Sequence, residues 1–289
     1  MDLIDTHQHL IYRARIGYGW TADKPALARG DFTVADYQAL TRGLGVAGTL
    51  VMEAGVDDAD YRAEAQMVAG LMLVPGSGIL GQIAACRPEA ADMMQWLDAS
   101  DGLGVVGYRR ILHEIDDAVS QTAEFRRNVR SIGACGKSFD ICVLGRQLPV
   151  ARALALACPD TVFVLDHCGV PDVAGGDFTS WAKGLARIAE LPHVMCKLSG
   201  ILAYCAPGTA SLGVIRPYVD HVLTCFGADR VLWGSDWPVL TALSDMETWF
   251  HLVRQVVTPL GEAALADVFG RTALRVYGIA QEASEWVKD

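Results

Sequence analysis

The sequence predicts an α/β fold: a closed (β/α)8 barrel of eight parallel strands, each followed by a helix, in a single domain over residues 1–289. Three observations predict it. Strand-like and helix-like segments alternate along the whole chain, no stretch rich in proline, glycine or serine divides it, and 289 residues suit one barrel of this kind.

Period-two and β-branched runs bounded by glycine mark strands at 3–9, 48–54, 79–85, 104–111, 138–143, 161–167, 193–199 and 230–236. Between them, apolar residues at helical spacing mark 33–44, 61–74, 88–99, 118–134, 147–158, 181–191 and 215–226. Two further helices, 245–257 and 262–276, close the outer layer. The longest irregular stretches, 10–32 and 170–178, follow the first and sixth strands. Both leave strand C-termini, where barrels carry their binding loops.

Composition narrows the functional classes. Hydrophobic residues make up 52% of the chain and charged residues 20%, as in globular proteins. The net charge is −10, and the 24 Lys and Arg residues are scattered, which excludes a phosphate-tracking surface and so a nucleic-acid partner. There is no uninterrupted apolar run long enough to span a bilayer, and Met1-Asp2-Leu3-Ile4-Asp5 lacks the basic segment and cleavage site of a secretory leader. A cytoplasmic protein with a small-molecule partner is expected. The eight cysteines form no Cys-x-x-Cys pair and read as free thiols. G-x-G-x-x-G occurs at Gly43, Gly76 and Gly102, but none of the three sits between a strand and a helix as a dinucleotide site requires.

Chemistry concentrates at the strand ends. His7 and His9 alternate on the first strand, so their imidazoles share a face and can hold a divalent ion. Val162-Phe163-Val164-Leu165-Asp166-His167 closes on a histidine, Val231-Leu232-Trp233-Gly234-Ser235-Asp236 closes on an acid, and Glu53 ends the second strand. In a closed barrel the first and eighth strands are neighbours, which lets His7, His9 and Asp236 meet. Arg109 and Lys197 bring cations to the ends of the fourth and seventh strands; of Arg109 and Arg110, alternation favours Arg109 facing inward. Trp20, Trp233 and Trp237 are candidate pocket walls. Each group also has an ordinary structural use: Asp236 as a cap, Glu53 as a salt-bridge partner, His167 as a hydrogen-bonded core group, Arg109 and Lys197 as charge compensation, the tryptophans as packing. His113, His193, His221 and His251 read as structural.

Taken together, His7-Gln8-His9, Phe163-Val164-Leu165-Asp166-His167-Cys168-Gly169-Val170-Pro171, Cys196-Lys197-Leu198-Ser199-Gly200 and Gly234-Ser235-Asp236-Trp237-Pro238 resemble the amidohydrolase superfamily. More narrowly they resemble its lactonase-type branch, which includes pyrone dicarboxylate lactonase and L-fuconolactone and L-rhamnonolactone hydrolases. The resemblance implies a somewhat distorted barrel of the TIM type that hydrolyses a lactone, either a sugar aldonolactone or a carboxylated one. It implies Asp236 as the base that activates water, with His7, His9 and His167 around the carbonyl or a metal. His167 then shares the catalytic work, and Arg109, Lys197 and Trp237 contact substrate. No lysine suits the bridging role of binuclear members, which leaves one divalent ion, zinc or manganese, or metal-independent catalysis. Glu53 favours one ion, adding an anionic oxygen to His7, His9 and Asp236. A metal-dependent decarboxylase of the same superfamily is the alternative enzyme, and a noncatalytic ligand-binding barrel the alternative from another class.

Overall fold

The computed structural model describes residues 3–28 and 30–280; the remainder of the expected 1–289 domain lies outside the described residues. Eight parallel strands run in chain order: β1 Leu3–Gln8, β2 Val46–Met52, β3 Ile79–Ala85, β4 Val105–Ile111, β5 Ser138–Cys142, β6 Phe163–Leu165, β7 Val194–Leu198 and β8 Val231–Trp233. The helices are α1 Val34–Thr41, α2 Tyr61–Met72, α3 Met93–Ser100, α4 Ala123–Ala134, α5 Leu148–Ala157, α6 Phe178–Ala189, α7 Leu212–Phe226, α8 Met246–Val257, α9 Glu262–Ala266 and α10 Thr272–Val276. This is the expected (β/α)8 barrel. The expected helix at 262–276 is broken by a wider turn at Asp267–Arg271.

Strand alternation sorts the side chains into two cores. Ile4, Leu50, Ile83, Val164, Met195 and Leu232 fill the barrel interior, closed off by Ala273 of α10 and by Tyr277 just beyond it. Their neighbours on the same strands, such as Leu3, Val51, Phe163, Val194 and Trp233, pack outward against the helices. Among the described residues no helix is long and apolar enough to cross a membrane.

The seam between β8 and β1 explains the distortion. Seven neighbouring strand pairs form ladders, whereas β8 meets β1 mainly through the turn that follows it. Asp236 N donates to His7 O at 2.9 Å, and His9 N donates to Trp237 O at 2.7 Å. Asp5 Oδ1 accepts from both Ser235 N (2.8 Å) and His7 N (3.0 Å). A buried acid thus stitches the first strand to the last turn, at the end of the barrel where the side chains of interest emerge.

Candidate active site

Two strands end early, and that is what aims the site. β6 stops at Leu165 and β8 at Trp233, so His167 and Asp236 stand in turns, at φ of +52° and +60°. Left-handed backbone is uncommon for residues other than glycine and concentrates where a side chain must be held in one direction. Gly234 lets the last turn approach β1, since a Cβ there would lie 2.7 Å from His7 Cβ.

These turns bring together groups from opposite ends of the chain. Asp236 Oδ1 lies 3.4 Å from His9 Nε2 and 3.7 Å from His7 Nε2. Asp236 Oδ2 lies 4.0 Å from His167 Nδ1, and the same nitrogen is 3.0 Å from Ser199 Oγ. One ligand atom from each of His7, His9 and Asp236 fits within 4.8 Å of the other two, and all three residues are buried.

The nitrogens on the far side of the rings decide what this cluster can hold. His9 Nδ1 faces the carbonyl of Met52 at 3.1 Å, and His7 Nδ1 faces Asp166 Oδ1 at 3.5 Å. Acceptors at Nδ1 favour the ring proton there, which makes Nε2 the nitrogen that offers a lone pair. Burial pushes the His7 imidazole well below its ordinary pKa, which keeps it neutral. The two Nε2 atoms and the Asp236 carboxylate then face one another, with Arg109 Nη1 also 3.4 Å from His7 Nε2. Such a donor set fits a divalent cation, and two imidazoles with a carboxylate suit zinc or manganese.

Beneath the cluster lies a layer of buried ion pairs. Arg109 Nε donates to Glu53 Oε1 at 2.5 Å, and its Nη1 lies 3.4 Å from both Asp166 Oδ2 and His7 Nε2. Lys197 Nζ donates to Asp140 Oδ2 at 2.6 Å and lies 3.1 Å from Asp166 Oδ1. Burial alone would raise the Asp166 carboxyl, but Lys197, His7 and Arg109 hold it well below its ordinary value. Burial likewise opposes the charge on Glu53, and Arg109 outweighs it.

Above the cluster opens a cavity of about 250 Å³. His9, Arg109, His167 and Asp236 line it, with Trp20, His113 and Tyr204 among its other walls. Of the two adjacent arginines, Arg109 is the one that faces it, while Arg110 pairs with Glu89 at 2.7 Å. The 10–32 loop supplies Trp20, whose Nε1 donates to Ala54 O at 2.7 Å. The 170–178 loop lines a separate cavity of about 690 Å³, which shares only Tyr204 with the first.

Three residues expected at the site stand elsewhere. Lys197 is fully enclosed below the cavity, because both of its carboxylate partners are buried with it. Trp237 packs edge-on against Phe32 and Tyr37, with ring centroids 5.6 and 5.5 Å away, and is not among the residues lining the cavity. Glu53 stands beside the cluster, its carboxylate taken by Arg109 and by Gly55 N (2.8 Å). In the other direction, the reading of the sequence gave no role to Asp140 and Asp166, which hold Lys197, or to Tyr204, which lines the cavity, and it took His113, which lines it too, as structural. The signal for Asp140 was present, as an acid inside the apolar run Phe139-Asp140-Ile141.

A sequence profile for the family described as Amidohydrolase matches residues 4–279. The chain is 31% identical over 285 residues to a Burkholderia ambifaria protein named L-fucono-1,5-lactonase, covering 96% of this chain and 95% of that one. It is 28% identical over 218 residues to a 2-pyrone-4,6-dicarboxylate hydrolase of Comamonas testosteroni, covering 72% and 68%. A crystal structure of an amidohydrolase from Burkholderia multivorans with bound Zn superposes with a TM-score of 0.88 at 26% identity, covering 97% of this chain and 100% of that one.

Proposed function

The chain belongs to the Amidohydrolase family, and from that premise we propose that it is a lactonase, opening the ring of a small lactone by hydrolysis at the C-terminal mouth of the barrel. The observation that carries this reading is the convergence of Asp236 with His9 and His167 at the floor of one cavity, with His7 buried against the same carboxylate. Relatives named for lactone hydrolysis support it.

In this mechanism Asp236 takes a proton from water as the water attacks the lactone carbonyl. Asp236 has no lysine or arginine paired with it among the described residues, so its carboxylate is available as a base. His167, held through Nδ1 by Ser199, turns its other nitrogen to the oxygen where negative charge develops. As the ring opens, Asp236 returns the proton to the departing ring oxygen, and the balance is one water consumed and one hydroxy acid formed. His7, His9 and Asp236 would hold one divalent ion, zinc or manganese; when bound, it supplies Lewis-acid polarisation and a more acidic water.

The remaining residues take supporting roles. Arg109 contacts substrate from the cavity wall, and Glu53 orients Arg109 from behind it. Lys197 fixes Asp166, and Trp237 anchors the turn that carries Asp236. Arg109 is already matched by Glu53 and Asp166, and this charge balance favours an uncharged sugar aldonolactone over a dicarboxylate. A setting in carbohydrate breakdown, in the cytoplasm, belongs to this proposal.

The test is an acid-release assay over aldonolactones and carboxylated lactones, run with metal-stripped protein and with zinc- or manganese-replenished protein. Acid release from a sugar lactone, without carbon dioxide, is expected. Carbon dioxide release would move the protein to the decarboxylases, and binding without turnover would make it a ligand-binding barrel.

A further inference from the structure

His113 has no part in the mechanism above, yet it lines the same cavity as Asp236 and His167. It stands on the short turn Leu112–Glu114 that leaves β4, directly after the strand that carries Arg109. Its Nδ1 is held by the Cys142 side chain, with Sγ at 3.6 Å, and Cys142 also lines the cavity. Among the described residues no group pairs with Nε2. One nitrogen is therefore anchored while the other is free to meet whatever fills the cavity.

The surroundings narrow what that ligand group is. Lys24 and Arg109 also line the cavity, Arg109 already paired with Glu53, but the charge beside His113 is that of Glu114, so a substrate carboxylate set against this wall would meet like charge. A hydroxyl pairs with Nε2 in either tautomer, because it both donates and accepts. We propose that His113 is a substrate-binding residue whose Nε2 hydrogen-bonds a ring hydroxyl of the lactone, selecting hydroxylated rings over bare ones. This rests on the lactonase reading and goes beyond it by naming the residue that reads the ring substituents.

The test compares kcat/KM for L-fucono-1,5-lactone and for δ-valerolactone, a six-membered lactone with no hydroxyl groups, in the wild type and in His113→Ala. The expected result is a fall of about tenfold in the ratio of the two values, the loss of one substrate hydrogen bond, carried mainly by KM. His113→Phe, which keeps the bulk of the ring, gives the same fall. A ratio that moves less than twofold in both variants overturns the inference. A wild type that opens only the unsubstituted ring also overturns it, while lactone hydrolysis stands. A wild type that opens neither ring nor any other aldonolactone or carboxylated lactone removes the lactonase reading and this inference together.

Discussion

Asp166 Oδ1 faces His7 Nδ1 at 3.5 Å, so the orientation of a cluster imidazole depends on a carboxylate that never reaches the cavity. Lys197, 3.1 Å from the same oxygen, holds that carboxylate in place. Lys197→Met leaves Asp140 and Asp166 buried without their ammonium, and removing one partner of a buried pair costs about 3–5 kcal/mol. Urea denaturation should show that loss. A variant of wild-type stability would return Lys197 to the list of dispensable charges.

Asp236→Asn keeps the shape of the side chain and removes the base. Turnover is expected to fall by about 10²- to 10⁴-fold, with the far-UV circular dichroism spectrum retained. Activity within tenfold of wild type would take Asp236 out of the proton transfers.

Chelation tests the donor set separately from catalysis. Protein dialysed against zinc should retain ~1 ion per chain by mass spectrometry, as a mononuclear site requires, and both His9→Ala and Asp236→Ala should lose it. Full activity after complete stripping would establish metal-independent hydrolysis.

Gly200 sits at φ +69°, and a Cβ on it would stand 2.6 Å from His167 Nδ1 and 3.0 Å from Asp236 Oδ2. Gly200→Ala therefore carries a left-handed backbone cost of roughly 1–2 kcal/mol and also displaces the two side chains the mechanism needs. A lower Tm together with a kcat loss of at least about tenfold is expected. A stability loss with kcat intact would separate the turn from the chemistry.

Burial, reinforced by the nearby Glu53 carboxylate, pushes the Glu64 carboxyl up to about 8 from its ordinary 4.5. The folded protein thus keeps a proton that the unfolded chain releases near 4.5, and stability falls as pH rises between those two values. Glu64→Gln keeps an acceptor for Ala54 N, which Glu64 Oε1 now binds at 2.8 Å, and removes the titration. Its Tm advantage over wild type should grow from pH 5 to pH 8.5 in a thermal melt series; a constant difference would refute the linkage.

The barrel was legible because strand and helix periods alternate cleanly from Leu3 to Val276, and the convergence of His7, His9 and Asp236 followed from closing it. Other features were hidden for physical reasons. The runs ending in His167 and Asp236 read as strand to their last residue, yet both leave the ladder early, because left-handed backbone carries no hydropathy signal. Lys197 read as a ligand-facing cation because period-two alternation reports which face a residue takes and not its depth along the barrel. His113 gave no signal at all, since its partner Cys142 belongs to the next strand and only the fold makes them neighbours.

The stitched seam between β1 and the turn after β8 has a consequence for how the protein comes into being. On the ribosome the imidazoles of His7 and His9 emerge early, but their carboxylate partner and the Ser235 N–H that Asp5 accepts from come only once Ser235 and Asp236 have been made. A nascent chain halted before Val231 carries two of the three groups that could hold a metal ion and lacks the third, so the proposed cation site is complete only once translation has passed the eighth strand.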